Sequence, residues 1–297
     1  CLTDINNSAK SYCVTHKDDG IRVVVALEQH LCCLLRPSDG TPLLVQMLDS
    51  SLPPHPRTLL EGEYIPQTNA VYVFDFIESL DASEYSSTWE QRRFVWQRVV
   101  NEARLAAAGG GGGFRLLKKD FFALGHVGHL LDEIMPALPY PTDGLIFQHT
   151  ASTRGRGTDR GTHKWKPVET VDFRLGGSGG QLLVKCDRGH ESFGDVLRPV
   201  DRAGLTAGQV VECAHMGPQM WRLVRVRADK TDANFVTVYR NILKVMGEGL
   251  SRPELLRAMQ NDRAVVAHYA GNDYRNALAK RGVNAHADAM KRFHNIA

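Results

Sequence analysis

The stretch YCVTHKDDGIRVVVAL, from Tyr12 to Leu27, places a lysine, two aspartates and a glycine directly before a run of β-forming residues. That run is rich in valine and is typical of a buried strand. Two interpretations fit the charged residues: a salt-bridged turn, or a site at which Lys17 acts as a nucleophile. Taken alone the pattern favours the turn, because a lysine followed two residues later by Asp-Gly arises by chance in roughly one chain in fifteen of this size.

The composition is that of a globular protein. The chain has 297 residues, 43% of them hydrophobic and 23% charged, which favours two domains. No apolar run approaches the ~20 residues of a membrane span, so no membrane partner is predicted. The formal net charge of +3 does not require nucleic acid. The six cysteines lack metal-knuckle spacing and predict reduced intracellular thiols.

Strand and helix patterns dominate the chain before Val171. The segments IRVVVALEQHLCCLLRP, TLLEGEYI, AVYVFDFI and TDGLIFQ predict strands, and the first of them predicts a hairpin that turns near residues 28–30. Two helices are predicted, FALGHVGHLLDEIM and SSTWEQRRFVWQRVVNEARLAAA. The longer one begins with Thr88 and Gln91 spaced as a capping box.

From Val171 onward the pattern changes to short β-runs separated by turns. The runs are VDFRL, QLLVKCD, DVLRPV, QVVECAHM and MWRLVRVRAD. Five short strands at this spacing predict a small barrel of the OB type. A further helix is predicted to begin near Ser251, which fits an N-cap. We therefore predict a first domain at residues 1–170, a barrel domain at 171–246 and a helical extension or linker at 247–297.

Charged and aromatic residues recur in a fixed order after Lys17. The segments that carry them are LEGEYI, YVFDF, TDGLIF, KWKP and RVRADK. In chain order these segments present Glu61 and Glu63, Phe74 and Asp75, Asp143, Lys164 and Lys166, and Arg225, Arg227, Asp229 and Lys230.

These residue types suit nucleotidyl transfer. A neutral lysine amine can attack an α-phosphate and expel pyrophosphate, and neighbouring cations favour the neutral amine. Lys164 and Lys166 alternate along a predicted strand, so they are expected on one face, where they also offset charge on the α-phosphate. The carboxylates of Glu63 and Asp143 suit ribose hydroxyls and magnesium, and Phe74 can stack on a purine.

The ordered set resembles the covalent nucleotidyltransferase superfamily and, within it, the mRNA capping guanylyltransferases. The resemblance runs from about Tyr12 to about Lys244. The segments TDGLIF, KWKPVETVDFRL and RVRADKTDAN favour capping enzymes over the related ATP-dependent ligases. The resemblance implies an α/β nucleotidyltransferase domain of the ATP-grasp-like ligase and capping fold, followed by an all-β OB-fold domain, with the nucleotide in the cleft between them.

The resemblance also implies roles for the matching residues. Lys17 is expected to accept GMP, and Lys164 and Lys166 are expected to act with it as catalytic residues that grip the phosphates. Asp143 and Glu63 are expected to hold the metal. The expected nucleotide-binding residues are Asp19, Arg22, Arg36, Glu63, Phe74, Asp172, Arg227, Asp229 and Lys230. Arg22 and Glu63 are expected to contact the ribose, and the last four residues are expected to act when the OB domain closes.

The implied reaction has two steps. Lys17 attacks GTP to give a lysyl-GMP intermediate and pyrophosphate, and the 5′-diphosphate end of an RNA then receives the GMP as a cap. Mg²⁺ or Mn²⁺ is the expected cofactor. Two alternatives stay open: an ATP-dependent polynucleotide ligase of the same superfamily, and a catalytically silent RNA-binding scaffold module. An intracellular location is expected, in the nucleus for a cellular protein and in the virion or host cytoplasm for a viral one.

Several site positions keep a second interpretation. Asp18 occupies a slot that is usually small or uncharged in the family, which leaves the pH optimum open. Phe74 suits the core as well as it suits guanine. Asp75 and Asp172 are alternatively turn or cap residues, and Arg36 is alternatively a surface arginine.

Three basic or atypical segments are also ambiguous. The run Arg154, Arg156 and Arg160 favours a solvated loop over a path for the RNA 5′ end. The glycine tracts at 109–113 and 176–180 are interpreted as insertions. The tail DAMKRFHNIA resembles the segment before the methyltransferase domain in multifunctional capping enzymes of large DNA viruses, or it is an ordinary linker. Because the chain opens at Cys1, it is expected to be cut from a longer protein, in which a triphosphatase precedes it and a methyltransferase follows Ala297 if the viral resemblance holds.

Overall fold

A computed structural model of the chain describes residues 12–79, 82–83, 87–103, 113–154, 161–177 and 180–259. The chain forms two compact units. One unit runs to Trp165 and resumes at Pro253, and the other spans Lys166–Arg252.

The first unit is built mainly from antiparallel strands. The strands described there are β1 Tyr12–Asp18, β2 Ile21–Gln29, β3 Leu31–Leu35, β4 Pro42–Met47, β5 His55–Ile65, β6 Ala70–Ser79, β7 Ala82–Ser83, β8 Arg115–Lys118, β9 Phe122–Ala123, β10 Thr142–His149 and β11 Thr162–Trp165. They form a four-stranded sheet in the order β11-β10-β1-β9 and a seven-stranded sheet in the order β4-β3-β2-β5-β6-β7, with β8 beside β6.

Helix α1, Trp89–Glu102, covers the core of the seven-stranded sheet. The side chains of Val23, Val25 and Leu27 alternate along β2 with more exposed ones, so that they share one face, and they belong to the same buried cluster as Trp89 and Trp96 of the helix. The predicted capping box is confirmed, since Thr88 and Gln91 each bond the other's backbone N–H.

A second helical segment, α2, lies between β9 and β10. It is continuous from a 3₁₀ turn at Leu124–His126 through an α-helical turn at Val127–His129, a π-helical stretch at Leu130–Ile134 and a last α-helical turn at Met135–Ala137. The predicted shorter helix is therefore present, with an irregular hydrogen-bond pattern.

The second unit is a closed five-stranded barrel with a helix packed on it. Its strands are β12 Thr170–Leu175, β13 Gln181–Cys186, β14 Gly189–Leu197, β15 Val210–Gly217 and β16 Met220–Val226. They close in the order β12-β13-β14-β16-β15, with β14 and β16 parallel. This arrangement confirms the predicted barrel of the OB type.

Two further helices follow the barrel, α3 Val236–Glu248 and α4 Arg252–Met259. Helix α3 is held by a buried carboxylate, because Trp221 Nε1 and the Tyr239 hydroxyl donate to Asp195 at 2.7 and 2.5 Å. The sequence patterns predicted α4 but neither α3 nor β4. The glycine run at 109–112 and the tail after residue 259 lie outside the described residues.

Candidate active site

Lys17 forms an ion pair with Asp143 at the end of β1. Nζ lies 2.8 Å from Oδ1 and 2.9 Å from Oδ2, and the side chains remain 21% and 31% exposed, so both can meet a ligand. In the register of β1 and β10, Lys17 lies opposite Gly144 and Asp18 lies opposite Thr142. Asp143 is therefore the extra residue of a β-bulge. Gly144 has a φ of 149°, which side-chain-bearing residues rarely adopt, and this explains the glycine after Asp143.

The sheet register places Lys164 on the same face as Lys17. Strand β10 lies between β1 and β11, with Ile146 opposite both Thr15 and Lys164. Because side chains alternate along a strand, Lys17, two residues from Thr15, shares this face with Lys164. Strand β11 ends at Trp165, and Lys166 directly follows it, so a shared face for Lys164 and Lys166 stays a prediction.

The Asp-Asp-Gly turn after Lys17 lies against β5. A Cβ atom at Gly20 would lie 2.7 Å from the backbone oxygen of Tyr64, so only glycine permits this approach. Strands β2 and β5 then pair with Arg22 opposite Glu63. The two residues expected to contact the ribose are therefore neighbours.

Glu63 belongs to the charged group around Lys17. Burial raises the pKa of the Glu63 carboxyl, and the charge of Asp18 acts in the same direction. The charges of Lys119 and Lys17 act in the opposite direction. Glu63 therefore lies within electrostatic range of Lys17, and its roles at the ribose and the metal stay predictions.

Asp18 is buried in an ion pair with Lys119. Its second oxygen lies 2.5 Å from Nδ1 of His16, which is itself 2.8 Å from the Lys119 ammonium. Burial would raise the pKa of Asp18, but Lys119 and His16 outweigh it and lower the pKa to about 2. Burial also lowers the pKa of Lys119, against the attraction of Asp18. The unusual aspartate beside Lys17 is therefore neutralised within the core.

A second charged network runs through β5 and β6. Its contacts are Arg22 to Glu61 at 2.7 Å, Arg154 to Glu61 at 3.1 Å, Arg154 to Asp75 at 3.2 Å and Arg92 to Asp75 at 2.8 Å. Burial would raise the pKa of Glu61, but Arg154 and Arg22 lower it overall. Burial raises the pKa of Asp75 in spite of its two arginines.

Three further predicted nucleotide contacts belong to the first unit. Phe74 is the extra residue in a bulge of β6, between Val73 and Asp75, and it packs partly buried against the core. The backbone N–H of Asp19 donates to Pro141 at 3.1 Å. Arg36 pairs with Asp39 at 3.2 Å in the exposed turn between β3 and β4. Their roles at the nucleotide stay predictions.

The four predicted residues of the barrel unit form one ionic cluster. Arg227 bonds Asp172 at 3.0 Å and both carboxylate oxygens of Asp229 at 2.9 and 2.7 Å, and Lys230 also bonds Asp172. The bonds from Arg227 hold the pKa of Asp229 well below its usual range. Asp172 lies within β12 and Asp75 within β6, both buried, so the alternative of turn or cap residues is wrong for both.

The residues that sequence patterns missed are those with distant partners. His16, Arg92 and Lys119 carry no local signal of their pairing, and Glu61, although part of the ordered set, was assigned no partner. Arg154 belongs to a basic run that favoured a solvated loop, and this is wrong because its side chain is largely buried between two carboxylates. Arg156 and Arg160 lie outside the described residues.

A domain of two mainly antiparallel sheets that presents a lysine beside a carboxylate, followed by an OB barrel, is the combination expected of a two-domain nucleotidyltransferase. Residues 4–168 match the family described as "mRNA capping enzyme, catalytic domain", and residues 186–256 match "mRNA capping enzyme, C-terminal domain". The chain belongs to the mRNA capping enzyme family. The expected fold class is thereby confirmed.

Similar proteins include fungal capping enzyme subunits. An "mRNA-capping enzyme subunit alpha" of Schizosaccharomyces pombe is 26% identical, over 84% of this chain and 75% of the relative. The proteins of the same name from Yarrowia lipolytica and Neurospora crassa are each 29% identical, and the matches span 39% and 42% of their lengths. A solved structure, "mycobacterial DNA ligase D complexed with ATP and MES", matches with a TM-score of 0.47 and 15% identity, over 75% of this chain and 91% of that one, which carries no argument about function.

None of the helices in the described ranges is long and apolar enough to cross a membrane.

Proposed function

We propose that this chain is the guanylyltransferase of mRNA capping and that Lys17 carries GMP between the two substrates. The observation that supports the role of Lys17 is its position. Its amine lies 2.8 Å from Asp143 in a β-bulge, on the sheet face that it shares with Lys164. Family membership supports the reaction, and this geometry supports Lys17 as the nucleophile.

In the first step, Nζ of Lys17 loses a proton and attacks the α-phosphorus of GTP. A P–N bond forms, the bond from the α-phosphorus to the bridging oxygen breaks, and pyrophosphate leaves. Asp143, which is at hydrogen-bonding distance, is proposed to accept the proton before a metal ion engages it. Lys164 and Lys166 offset the charge that develops on the phosphate oxygens.

In the second step, the terminal phosphate oxygen of an RNA 5′-diphosphate attacks the same phosphorus. The P–N bond breaks, GMP is joined to the RNA as the cap, and the lysine amine regains its proton. The ionic cluster of Asp172, Arg227, Asp229 and Lys230 is proposed to act on the pyrophosphate in the first step. Its two cations are suited to a polyphosphate, because arginine and lysine pair with phosphate oxygens.

Asp143 and Glu63 fit a divalent cation such as Mg²⁺ or Mn²⁺. Both offer the carboxylate oxygens that these ions prefer, and both belong to the charged group around Lys17. No cluster of three or more His, Cys, Asp or Glu side chains able to hold a metal occurs in the part of the chain described, so phosphate oxygens of GTP and water would complete the coordination. A bound ion would supply positive charge at the α-phosphate and compete with Lys17 for Asp143.

The function is tested by covalent labelling. With Mg²⁺ or Mn²⁺ present, the protein is expected to form an acid-labile, alkali-stable adduct from α-labelled GTP but not from α-labelled ATP. Label trapped only from ATP would identify the ligase alternative. If neither nucleotide gives an adduct, the result would favour the alternative of a catalytically silent RNA-binding module.

Replacing Lys166 with alanine is expected to reduce the rate of adduct formation by about 10²–10³-fold, because a cation aimed at the developing phosphate charge is lost. The measurement is the initial rate of labelling with α-labelled GTP. Lys185→Ala is the matched control, since Lys185 is an exposed lysine paired with Asp232 and is expected to label normally. Labelling of Lys166→Ala at the wild-type rate would require a mechanism without this cation.

The RNA substrate implies an upstream enzyme. A 5′-diphosphate arises when a triphosphatase removes the terminal phosphate of a nascent transcript, so we propose such a partner, on a separate subunit or a further domain of the parent chain. We also propose an intracellular location, in the nucleus of a cellular organism or, for a viral protein, in the virion or host cytoplasm.

A further inference from the structure

Arg154 bridges two carboxylates that face each other across neighbouring strands. Glu61 and Asp75 are directly opposite in the register of β5 and β6, which sets their Cβ atoms ~4.5–5.5 Å apart. Like charges in such positions repel. Nη1 of Arg154 lies 3.1 Å from one carboxylate and 3.2 Å from the other, and it is therefore a cation that both share.

The remaining contacts extend this bridge in both directions. Arg92 bonds Asp75 through Nε and Nη2 at 2.8 and 3.1 Å and is almost completely buried. Arg22 bonds the other oxygen of Glu61 at 2.7 Å. Charges therefore alternate from Arg92 to Arg22. Arg22 is the residue of this charged network that is open to solvent, with 59% of its side chain exposed. A ligand can therefore reach the network at Arg22.

The backbone that carries Arg154 is fixed against helix α1. The first two residues of the helix, Trp89 and Glu90, donate backbone N–H bonds to Ser152 and Thr150 at 2.7 and 2.9 Å. Arg92 adds a side-chain bond to the Ser152 carbonyl at 3.3 Å. The segment that leads to Arg154 is therefore bonded to the N-terminus of helix α1, and these bonds fix the backbone just before Arg154.

We propose that Arg154 is a positioning residue for the nucleotide sugar. By holding one oxygen of Glu61, it keeps the other oxygen aimed at Arg22, the expected ribose contact. Without Arg154, the two facing carboxylates repel each other, Glu61 turns away from Asp75, and Arg22 loses its fixed orientation. This inference rests on the proposed function.

The test is a double-mutant cycle on labelling kinetics. Arg154→Gln is expected to raise the KM for GTP by about tenfold with little change in the maximal rate, because one charge-assisted bond that orients the sugar contact is lost. The preference for GTP over 2′-deoxy-GTP is expected to fall at the same time. In an Arg22→Gln background, Arg154→Gln is expected to change KM by less than about twofold, since the two residues act as one unit.

Arg98→Gln is the matched control, because Arg98 is an exposed arginine of α1, and its kinetic constants are expected to equal those of wild type. If Arg154→Gln fails to fold, Glu61→Gln breaks the same link and is expected to show the same rise in KM. A folded Arg154→Gln or Glu61→Gln protein with wild-type KM, or full additivity with Arg22→Gln, overturns the inference. Wild-type protein that forms no adduct overturns the proposed function instead.

Discussion

Replacing Lys17 with alanine is expected to abolish formation of the GMP adduct. The loss should be at least about 10³-fold, because no other group replaces a covalent nucleophile. The fold should survive, since the ion pair with Asp143 is partly exposed and such pairs contribute about 1 kcal/mol or less. The measurement is labelling with α-labelled GTP, with circular dichroism of the same samples to check the fold.

A second substitution at the same position distinguishes the positive charge of Lys17 from its ability to act as a nucleophile. Lys17→Arg keeps a cation beside Asp143, but the guanidinium cannot lose its proton and so cannot attack phosphorus. This variant is also expected to form no adduct. Lys244→Ala, which removes an exposed lysine of α3, should label like wild type. An adduct on either Lys17 variant would assign the nucleophile to another residue.

The proposed reaction requires a neutral amine, and the structure shows which charged groups lie near Lys17. Asp18, the carboxylate next in sequence to Lys17, is paired with Lys119 in the core. Asp143 forms an ion pair with the amine, and Lys164 lies on the same sheet face. Asp18 is thus paired away from Lys17, while Asp143, the proposed metal ligand, contacts it.

Local patterns predicted the elements whose stability is local. The hairpin at residues 28–30 is present, with Gln29 at a positive φ of 52°, and the capping box at the start of α1 forms as expected. The segments TLLEGEYI and AVYVFDFI predicted the strands that carry Glu63 and Phe74, and the five short runs predicted the barrel. In each case the residues that decide the structure lie within a few positions of each other.

Helix α3 was not predicted because its first residues favour a strand. It begins with Val236, Thr237 and Val238, which favour a strand. Tyr239, however, bonds buried Asp195, and apolar residues farther along the helix pack on the barrel. Tertiary contacts therefore outweigh β propensity here. Nothing within the segment itself indicates those partners.

Long-range ion pairs limited the prediction of the site. Lys119 lies 101 residues from Asp18, and Arg154 lies 93 residues from Glu61. A lysine next to a strand, such as Lys119, and an arginine in a glycine-rich loop, such as Arg154, are usually exposed to solvent. Their sequence context therefore predicts exposure, whereas both side chains are largely buried. The position of Asp143 in a bulge likewise depends on strand register, which the sequence does not encode locally.

Lys119→Met is expected to destabilise the first unit by roughly 3–5 kcal/mol, because it leaves Asp18 buried beside only His16. The measurement is the free energy of unfolding in urea, followed by tryptophan fluorescence. Three of the four tryptophans, Trp89, Trp96 and Trp165, lie in this unit and report on it. The double substitution Asp18→Asn with Lys119→Met should recover at least half of the loss, since it removes the uncompensated charge together with its partner.

The pH dependence of the same variant gives an independent check. In the wild type the pKa of Asp18 is about 2 against an ordinary value of 3.8, so its contribution to stability is complete above 3.8 and is lost as the pH falls through 2. In Lys119→Met, burial is no longer countered by the ammonium and should raise the pKa of Asp18. The variant then gains stability on acidification, while the wild type does not, so the difference between them should narrow between about pH 7 and pH 5. A difference that stays constant over this range would mean that lost packing of the lysine chain, and not the unpaired carboxylate, causes the destabilisation.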